Sequence, residues 1–320
     1  MNQPVYFAPL EGVTDAVFRR AHSELFPGVT KYFLPFISPT QNLCFTPRER
    51  ANIAPEHNEG LCAVPQVLTK NASHFLWAAG EFAAMGYREV NLNAGCPSGT
   101  VTAKGKGSGM LTDLDALRVF LDEVYEKSPL PVSIKTRIGF TSADEFDAIL
   151  ALYSRYPVHE LTIHPRTRAQ QYKGTPYRDV FAASFGRTPL ALCCNGDLFT
   201  AQDCRALTAQ CPDTRALMLG RGLIANPALA RELAGGDALT LPELRAFHDR
   251  LMADYLARYP AHVVLGRMRQ ILGYMVPCFE DVRKVQKALR KAQNLRGYHA
   301  AAQDLFERHV LRDAPGYVPD

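Results

Sequence analysis

The 320-residue chain holds no run of about 18 apolar residues, so nothing in it reads as a membrane-spanning helix. Its opening stretch, MNQPVYFAPLEG, lacks the basic, apolar and small-residue zones of a signal peptide, which points to the cytoplasm. The eight cysteines, at 44, 62, 96, 193, 194, 204, 211 and 278, include no C-x-x-C pair and no accompanying histidine spacing. Neither zinc nor another metal is expected, and free thiols in a reducing compartment are the simplest reading. The adjacent Cys193 and Cys194 sit in the apolar run LALCCNG and read as buried strand filler. A strong charge of either sign is missing too, with 36 Lys/Arg against 32 Asp/Glu and a net charge of +4. From residue 239 onward there are 13 basic and 9 acidic residues, which leaves 23 of each before it. A polyanionic partner would therefore lean on the C-terminal quarter.

What is present is a repeated alternation. Eight β-type runs follow one another: VYFAPL, TKYFLPFI, CAVPQVL, EVNLNAG, PVSIKTRIG, ELTIHP, LALCCNG and RALMLGR. Between them, stretches such as TDLDALRVFLDEVYEKS and SADEFDAILALYSRY place apolar residues three and four apart behind Thr, Ser or Asp caps. Eight strand–helix units within about 235 residues predict an α/β fold of the (β/α)8 TIM-barrel type. A doubly wound open sheet is the alternative, but the first run lacks a G-x-G-x-x-G turn. After Gly235-Gly236 the β-type runs stop. The pattern then turns helical, with Leu244, Phe247, Leu251 and Tyr255 on one face and Val285, Leu289 and Ala292 on another. The expected organisation is a catalytic barrel over residues 1–238 and a small helical domain over 239–320.

In such a barrel the chemistry gathers at the C-terminal ends of the strands. Reading those ends in order gives Ala8, Pro9, Leu10 and Glu11, then Gln66, Asn93, Cys96, Lys135 and Arg137, then His164, Arg166, Asn195, Gly196 and Asp197, and finally Gly220, Arg221 and Gly222. Lys135 inside VSIKTRIG is costly in a buried strand unless it meets an anion or a polar ligand, a carboxylate at the barrel mouth being the plainest partner. The NGD and GRG turns suit a phosphate, because glycines let backbone N–H groups approach it.

Behind Cys96 runs a glycine- and lysine-rich stretch, SGTVTAKGKGSGML. It is no nucleotide-triphosphate loop: Gly105-Lys106 is followed by Gly107 rather than Ser or Thr, and position 100 is Thr. The G-x-G-x-x-G spacing fails as well, at Met110. The expectation is a mobile loop, too glycine-rich to pack tightly, able to order over a substrate.

In this order, APLEGVTDAVFR, NLNAGCPSGTV, SIKTRIG, IHPRT, NGD and LGRGLIANP resemble the tRNA-dihydrouridine synthase family. The motifs span residues 8–227, and the basic helical tail suits that family's RNA-binding domain. The resemblance implies an FMN-dependent barrel that reduces the C5–C6 double bond of particular tRNA uridines with NADPH. It implies FMN contacts from Ala8, Pro9, Leu10, Gln66, Lys135, His164, Asn195, Gly196, Asp197, Gly220 and Arg221. Asn93, Lys135, Arg137 and Arg166 would face the uracil, and Cys96 would donate a proton to C5 after hydride reaches C6. An ordinary free thiol is mostly protonated at neutral pH, so it can act as that acid without tuning. Leu10 stands where the family commonly has methionine, and Pro165 where a small residue is frequent.

The stretch RKVQKALRKAQNLR, residues 283–296, carries six basic residues and no acid. Arg283, Lys287 and Arg290 fall on one side of the helix it predicts, as a tRNA-backbone contact would need. A solvated helix face is the bland alternative. Two other functions stay open at this stage: a flavin oxidoreductase for a small pyrimidine, like dihydroorotate or dihydropyrimidine dehydrogenases, and a tRNA-binding relative without catalysis. The sequence is silent on oligomeric state, and a monomer is the default for a one-to-one tRNA complex.

Overall fold

The computed structural model describes residues 3–318. Nine short strands form one sheet: β1 (Val5–Phe7), β2 (Val29–Phe33), β3 (Ala63–Val64), β4 (Gln66–Val67), β5 (Val90–Ala94), β6 (Val132–Gly139), β7 (Leu161–Thr167), β8 (Leu192–Asn195) and β9 (Ala216–Leu219). Their order is β3-β2-β1-β9-β8-β7-β6-β5-β4. The two edges of that order, β3 and β4, are consecutive in the chain and separated only by Pro65. Proline has no N–H to give a ladder, so one run is split into a half that pairs with β2 through Tyr32↔Ala63 and a half that pairs with β5 through Gln66↔Asn91. Counting the halves as one strand, the sheet closes on itself with eight strands. This is the (β/α)8 barrel, and all eight β-type runs of the sequence supply it.

Alternation along the strands separates two faces. On β6, Val132, Ile134, Thr136 and Ile138 are buried on the helix side, where the Thr136 hydroxyl lies 3.3 Å from the Tyr153 hydroxyl of helix Phe146–Tyr153. Ser133, Lys135 and Arg137 take the other face. Across the sheet, Asn93 is in register with Lys135, and Lys135 with Thr162. The inner face of β5 to β7 is therefore polar, while the outer face holds the aliphatic core. Local signals start the surrounding helices: the Asp113 carboxylate accepts from the Ala116 N–H at 2.9 Å to cap helix Leu114–Lys127, and Thr240 with Glu243 forms a capping box for helix Leu241–Leu256.

The chain divides into two compact units, Met1–Thr30 with Asp197–Leu207 and Leu219–Asp320, and Lys31–Gly196 with Thr208–Met218. In the first, the C-terminal helices share a core with helix Ala16–Leu25. Phe247 packs edge-on against Phe18 and Phe26, with ring centroids 5.4 Å away in both cases. The Asp15 carboxylate caps helix Ala16–Leu25 through the Phe18 N–H, accepts from the Tyr255 hydroxyl at 2.8 Å and pairs with Arg267, whose guanidinium lies over the Tyr255 and Tyr259 rings. Leu244, Phe247, Leu251 and Tyr255 are all fully buried, as their helical spacing predicts. Among the described residues, no helix is long and apolar enough to cross a membrane.

Candidate active site

In the second unit, the inner face carries a continuous polar chain. The Lys31 ammonium meets Glu89 at 2.7 Å, and the Ser133 hydroxyl donates to the other Glu89 oxygen at 2.6 Å. The Asn91 amide donates to Ser133 Oγ at 2.8 Å, Gln66 donates to Asn91 at 2.8 Å, and Asn93 donates to Gln66 at 2.7 Å. Each buried amide is thus oriented by its neighbour. Sequence reasoning found Gln66 and Asn93 but missed Glu89, Asn91 and Ser133. Their signal was there, in the every-second-residue polar spacing E-x-N-x-N and S-x-K-x-R.

The chain ends at Cys96. The Asn93 side-chain oxygen Oδ1 accepts from the Gly95 N–H at 3.1 Å and the Cys96 N–H at 2.6 Å, which fixes the turn that presents the thiol. Arg137 is fully buried and ties the same turn to β7, donating to Gly95 O at 2.9 Å and Thr167 O at 2.8 Å. The Cys96 side chain itself is half-buried.

The glycine-rich stretch behind Cys96 does not behave as a loose loop. It forms the short helices Gly99–Thr102 and Gly107–Thr112, and Gly107 to Leu111 are buried. Ser108 donates to the Cys96 carbonyl from its N–H at 3.0 Å and from its hydroxyl at 2.9 Å. Gly107 stands at φ +60°, and a Cβ there would lie 2.7 Å from Cys96 O. The glycines permit close packing on the cysteine turn, so composition misled here: small residues were read as freedom when they serve contact.

Lys135 is half-buried, and the titratable groups around it are Arg137, Cys193 and Cys96, with no carboxylate among them. Desolvation, and then the Arg137 charge, pull its ammonium down to about 8. Among the described residues, no carboxylate pairs with it. Desolvation likewise lowers Arg137, to about 10. On β7, His164 is buried, and its ring lies 2.9 Å from where a Gly196 Cβ would stand. Arg166 is fully buried and donates to Lys173 O and Gly174 O, with a further nitrogen 3.2 Å from His164 Nε2. It fixes His164 and the loop after β7 together. That loop raises Tyr172, 55 % exposed, whose ring centroid is 5.3 Å from the Arg137 guanidinium and 6.2 Å from the His164 ring. Tyr172 was missed in the sequence; its only signal was a lone aromatic in the polar run RAQQYKGT. The Asn195 amide donates to Met218 O at 2.7 Å, linking β8 to β9.

In the first unit, Ala8 N–H donates to Leu219 O at 2.7 Å, and Leu10 Cδ1 lies 3.2 Å from where a Gly220 Cβ would be. Pro9 and Leu10 are half-buried. Arg221 pairs with Asp197 at 3.0 Å, and its guanidinium lies over Phe199 at 5.0 Å and Tyr317 at 4.9 Å, two rings that meet each other edge-on with centroids 5.1 Å apart. Tyr317, near the C-terminus, was not anticipated as a support for Arg221. Arg283, Lys287 and Arg290 are exposed on helix Arg283–Lys291, opposite the buried Val285 and Leu289. All eight cysteines are free. Cys193 and Cys194 occupy opposite faces of β8, which is why neighbours in sequence do not bridge, and burial pushes the Cys194 thiol up to about 12.

The family model described as dihydrouridine synthase matches residues 6–307. A relative named tRNA-dihydrouridine synthase B, from Pasteurella multocida, is 27 % identical over 72 % of this chain and 69 % of its own. A probable tRNA-dihydrouridine synthase from Staphylococcus aureus is 30 % identical over 78 % of this chain and 77 % of its own. Among solved structures, morphinone reductase is similar in fold, with a TM-score of 0.52 at 14 % identity over 76 % of this chain and 88 % of that one. With the family model matching nearly the whole chain, the chain belongs to the dihydrouridine synthase family.

Proposed function

We propose that this protein reduces the C5–C6 double bond of specific uridines in tRNA to 5,6-dihydrouridine, with FMN as cofactor and NADPH as reductant. The observation that carries the reading is a cysteine whose backbone is held at the end of β5 by Asn93 and Ser108, with the Lys135 ammonium close by and, among the described residues, no carboxylate pairing with it.

The residues fit a flavin. Lys135 offers a cation to an electron-rich ring edge, Gln66 and Asn93 offer oriented amides, and Gly196 lets the backbone pass against the His164 ring, where a Cβ would lie only 2.9 Å from it. Ala8, Pro9, Leu10, Gln66, Lys135, His164 and Asn195 would hold the ring system, while Gly196, Gly220 and Arg221 would take the phosphate end, Arg221 being oriented by Asp197. When bound, FMN supplies hydride for uracil C6. Cys96 Sγ then holds the proton that goes to C5. Asn93 sets the cysteine turn and, with Lys135 and Arg137, orients the uracil; Arg166 acts through His164. Tyr172 gives a flat apolar face for a base lifted out of its stack.

Residues 239–320 form the tRNA-binding region in this reading, and the barrel over 1–238 is catalytic. Charge reversal at Arg283, Lys287 and Arg290 is expected to weaken tRNA binding and lower its log–log salt slope by about 2, since each neutralised phosphate contributes roughly 0.7. Equal affinity and slope would remove this face from the interface.

The test of the activity is direct. Purified protein with NADPH and bulk tRNA lacking dihydrouridine should form dihydrouridine, and free uracil or orotate should not be turned over. Turnover of the free pyrimidine with none on tRNA would overturn the reading in favour of a small-molecule oxidoreductase.

A further inference from the structure

The lysines of the glycine-rich stretch have no part in the chemistry above. Gly105 stands at φ +67°, and the Lys70 side chain lies across it, with Cδ 3.3 Å and Nζ 3.4 Å from where a Cβ would be. Gly105 is itself flanked by Lys104 and Lys106, and Lys106 donates to Ser38 Oγ at 2.9 Å. Three ammonium-bearing chains from two segments are thus gathered around one glycine, where a Cβ would crowd the Lys70 side chain. Their mutual repulsion registers on Lys106, which lies below the usual lysine value through desolvation first and then through Lys104 and Lys70.

Among the described residues, no carboxylate forms an ion pair with Lys70, Lys104 or Lys106. The carboxylate beside Ser38 is Glu49, which accepts from the Ser38 N–H at 3.3 Å, the Thr46 N–H at 2.9 Å and the Thr46 hydroxyl at 2.8 Å, and so caps its own helix instead. At the far side of helix Gly99–Thr102 the charge is again positive. Arg168 donates to Thr102 Oγ1 at 3.2 Å, and its buried Nε has no partner. Both features belong to the segment whose Gly107 is packed on the Cys96 carbonyl.

We propose that Lys70, Lys104 and Lys106 form a phosphate-binding collar beside the cysteine turn, which takes a backbone phosphate of the tRNA next to the uridine being reduced. The proposal rests on the tRNA reading above. A uridine drawn toward Cys96 brings its flanking phosphates with it, and a cluster of lysines against a glycine backbone is suited to a compact, highly charged diester rather than to a neutral ring. The collar would add to the binding provided by the C-terminal helix and would act where stacking has been given up.

The test is the Lys70→Ala/Lys104→Ala double variant, both positions being exposed. Its affinity for bulk tRNA lacking dihydrouridine is measured between about 50 and 200 mM salt, with the thermal midpoint as a folding control. The expected result is roughly a tenfold loss at low salt and a log–log slope lower by about 1.4, with Lys70→Arg/Lys104→Arg restoring both. Unchanged affinity and slope would overturn the proposal. In a second arm, flavin reduction by NADPH is compared with reduction by NADH; a slowdown confined to NADPH would assign the collar to the dinucleotide's extra phosphate and equally overturn it. Wild-type protein that binds no tRNA would sink the parent reading together with this one, whereas wild-type binding with an indifferent variant sinks the collar alone.

Discussion

Cys96→Ala is expected to yield a protein that folds, retains FMN and is reduced by NADPH, yet forms dihydrouridine on the order of 10² to 10⁴ times more slowly, the range usual for a positioned acid. The contacts that hold the turn are backbone groups of residue 96: its N–H to Asn93 and its C=O from Ser108. Neither depends on the sulfur, so alanine removes the proton donor and leaves the geometry. Single-turnover kinetics separates the two halves of the reaction. Flavin reoxidation by tRNA should slow, while flavin reduction should not. Unchanged reoxidation in Cys96→Ala would remove the thiol from the chemistry and leave proton delivery to water.

Lys135→Met should act on the other half, weakening FMN binding about 10- to 100-fold, the worth of one hydrogen bond to a charged group. The pH dependence makes the effect diagnostic. In the flavin-free protein the ammonium titrates at about 8, below the ordinary 10.5, because burial and Arg137 disfavour the charge. An anionic or electron-rich ring edge favours the charged form and raises that value on binding. Below about pH 8 the proton is already present, and affinity should be flat. Above it, binding must draw a proton from solution, so affinity should fall by up to tenfold per pH unit. The same depression should make the flavin-free protein gain stability between about pH 8 and 10.5, where the unfolded chain still binds a proton that the folded chain has released. Isothermal titration across that window checks the first, and thermal midpoints check the second. A wild-type affinity that ignores pH there, or a Met variant that keeps the slope, would exclude Lys135 as the cofactor's cation.

The strands, the helix starts and the positions of Cys96, Lys135 and His164 were legible in the chain because each is a local matter. Strand period, cap residues and a polar residue at a strand end are written within a few residues of one another. The burial of Leu244, Phe247, Leu251 and Tyr255 followed from helical spacing alone. The glycine-rich stretch shows where this fails, since Gly107 has its meaning only against the Cys96 carbonyl eleven positions back.

By itself, then, the sequence determined how many strands there are, which side chains stand at their ends, and where charge accumulates. Tertiary structure alone decided that Pro65 splits a strand and lets the sheet close, and that Glu89, Ser133, Asn91 and Gln66 form one hydrogen-bonded chain leading to Asn93. It also decided that, among the described residues, no carboxylate pairs with Lys135, that Tyr172 rises over Arg137, and that Tyr317 closes on Arg221. The reason is physical: periodicity and capping act along the chain over one or two turns, whereas pairing, desolvation and the company a charge keeps depend on residues brought together from tens or hundreds of positions apart.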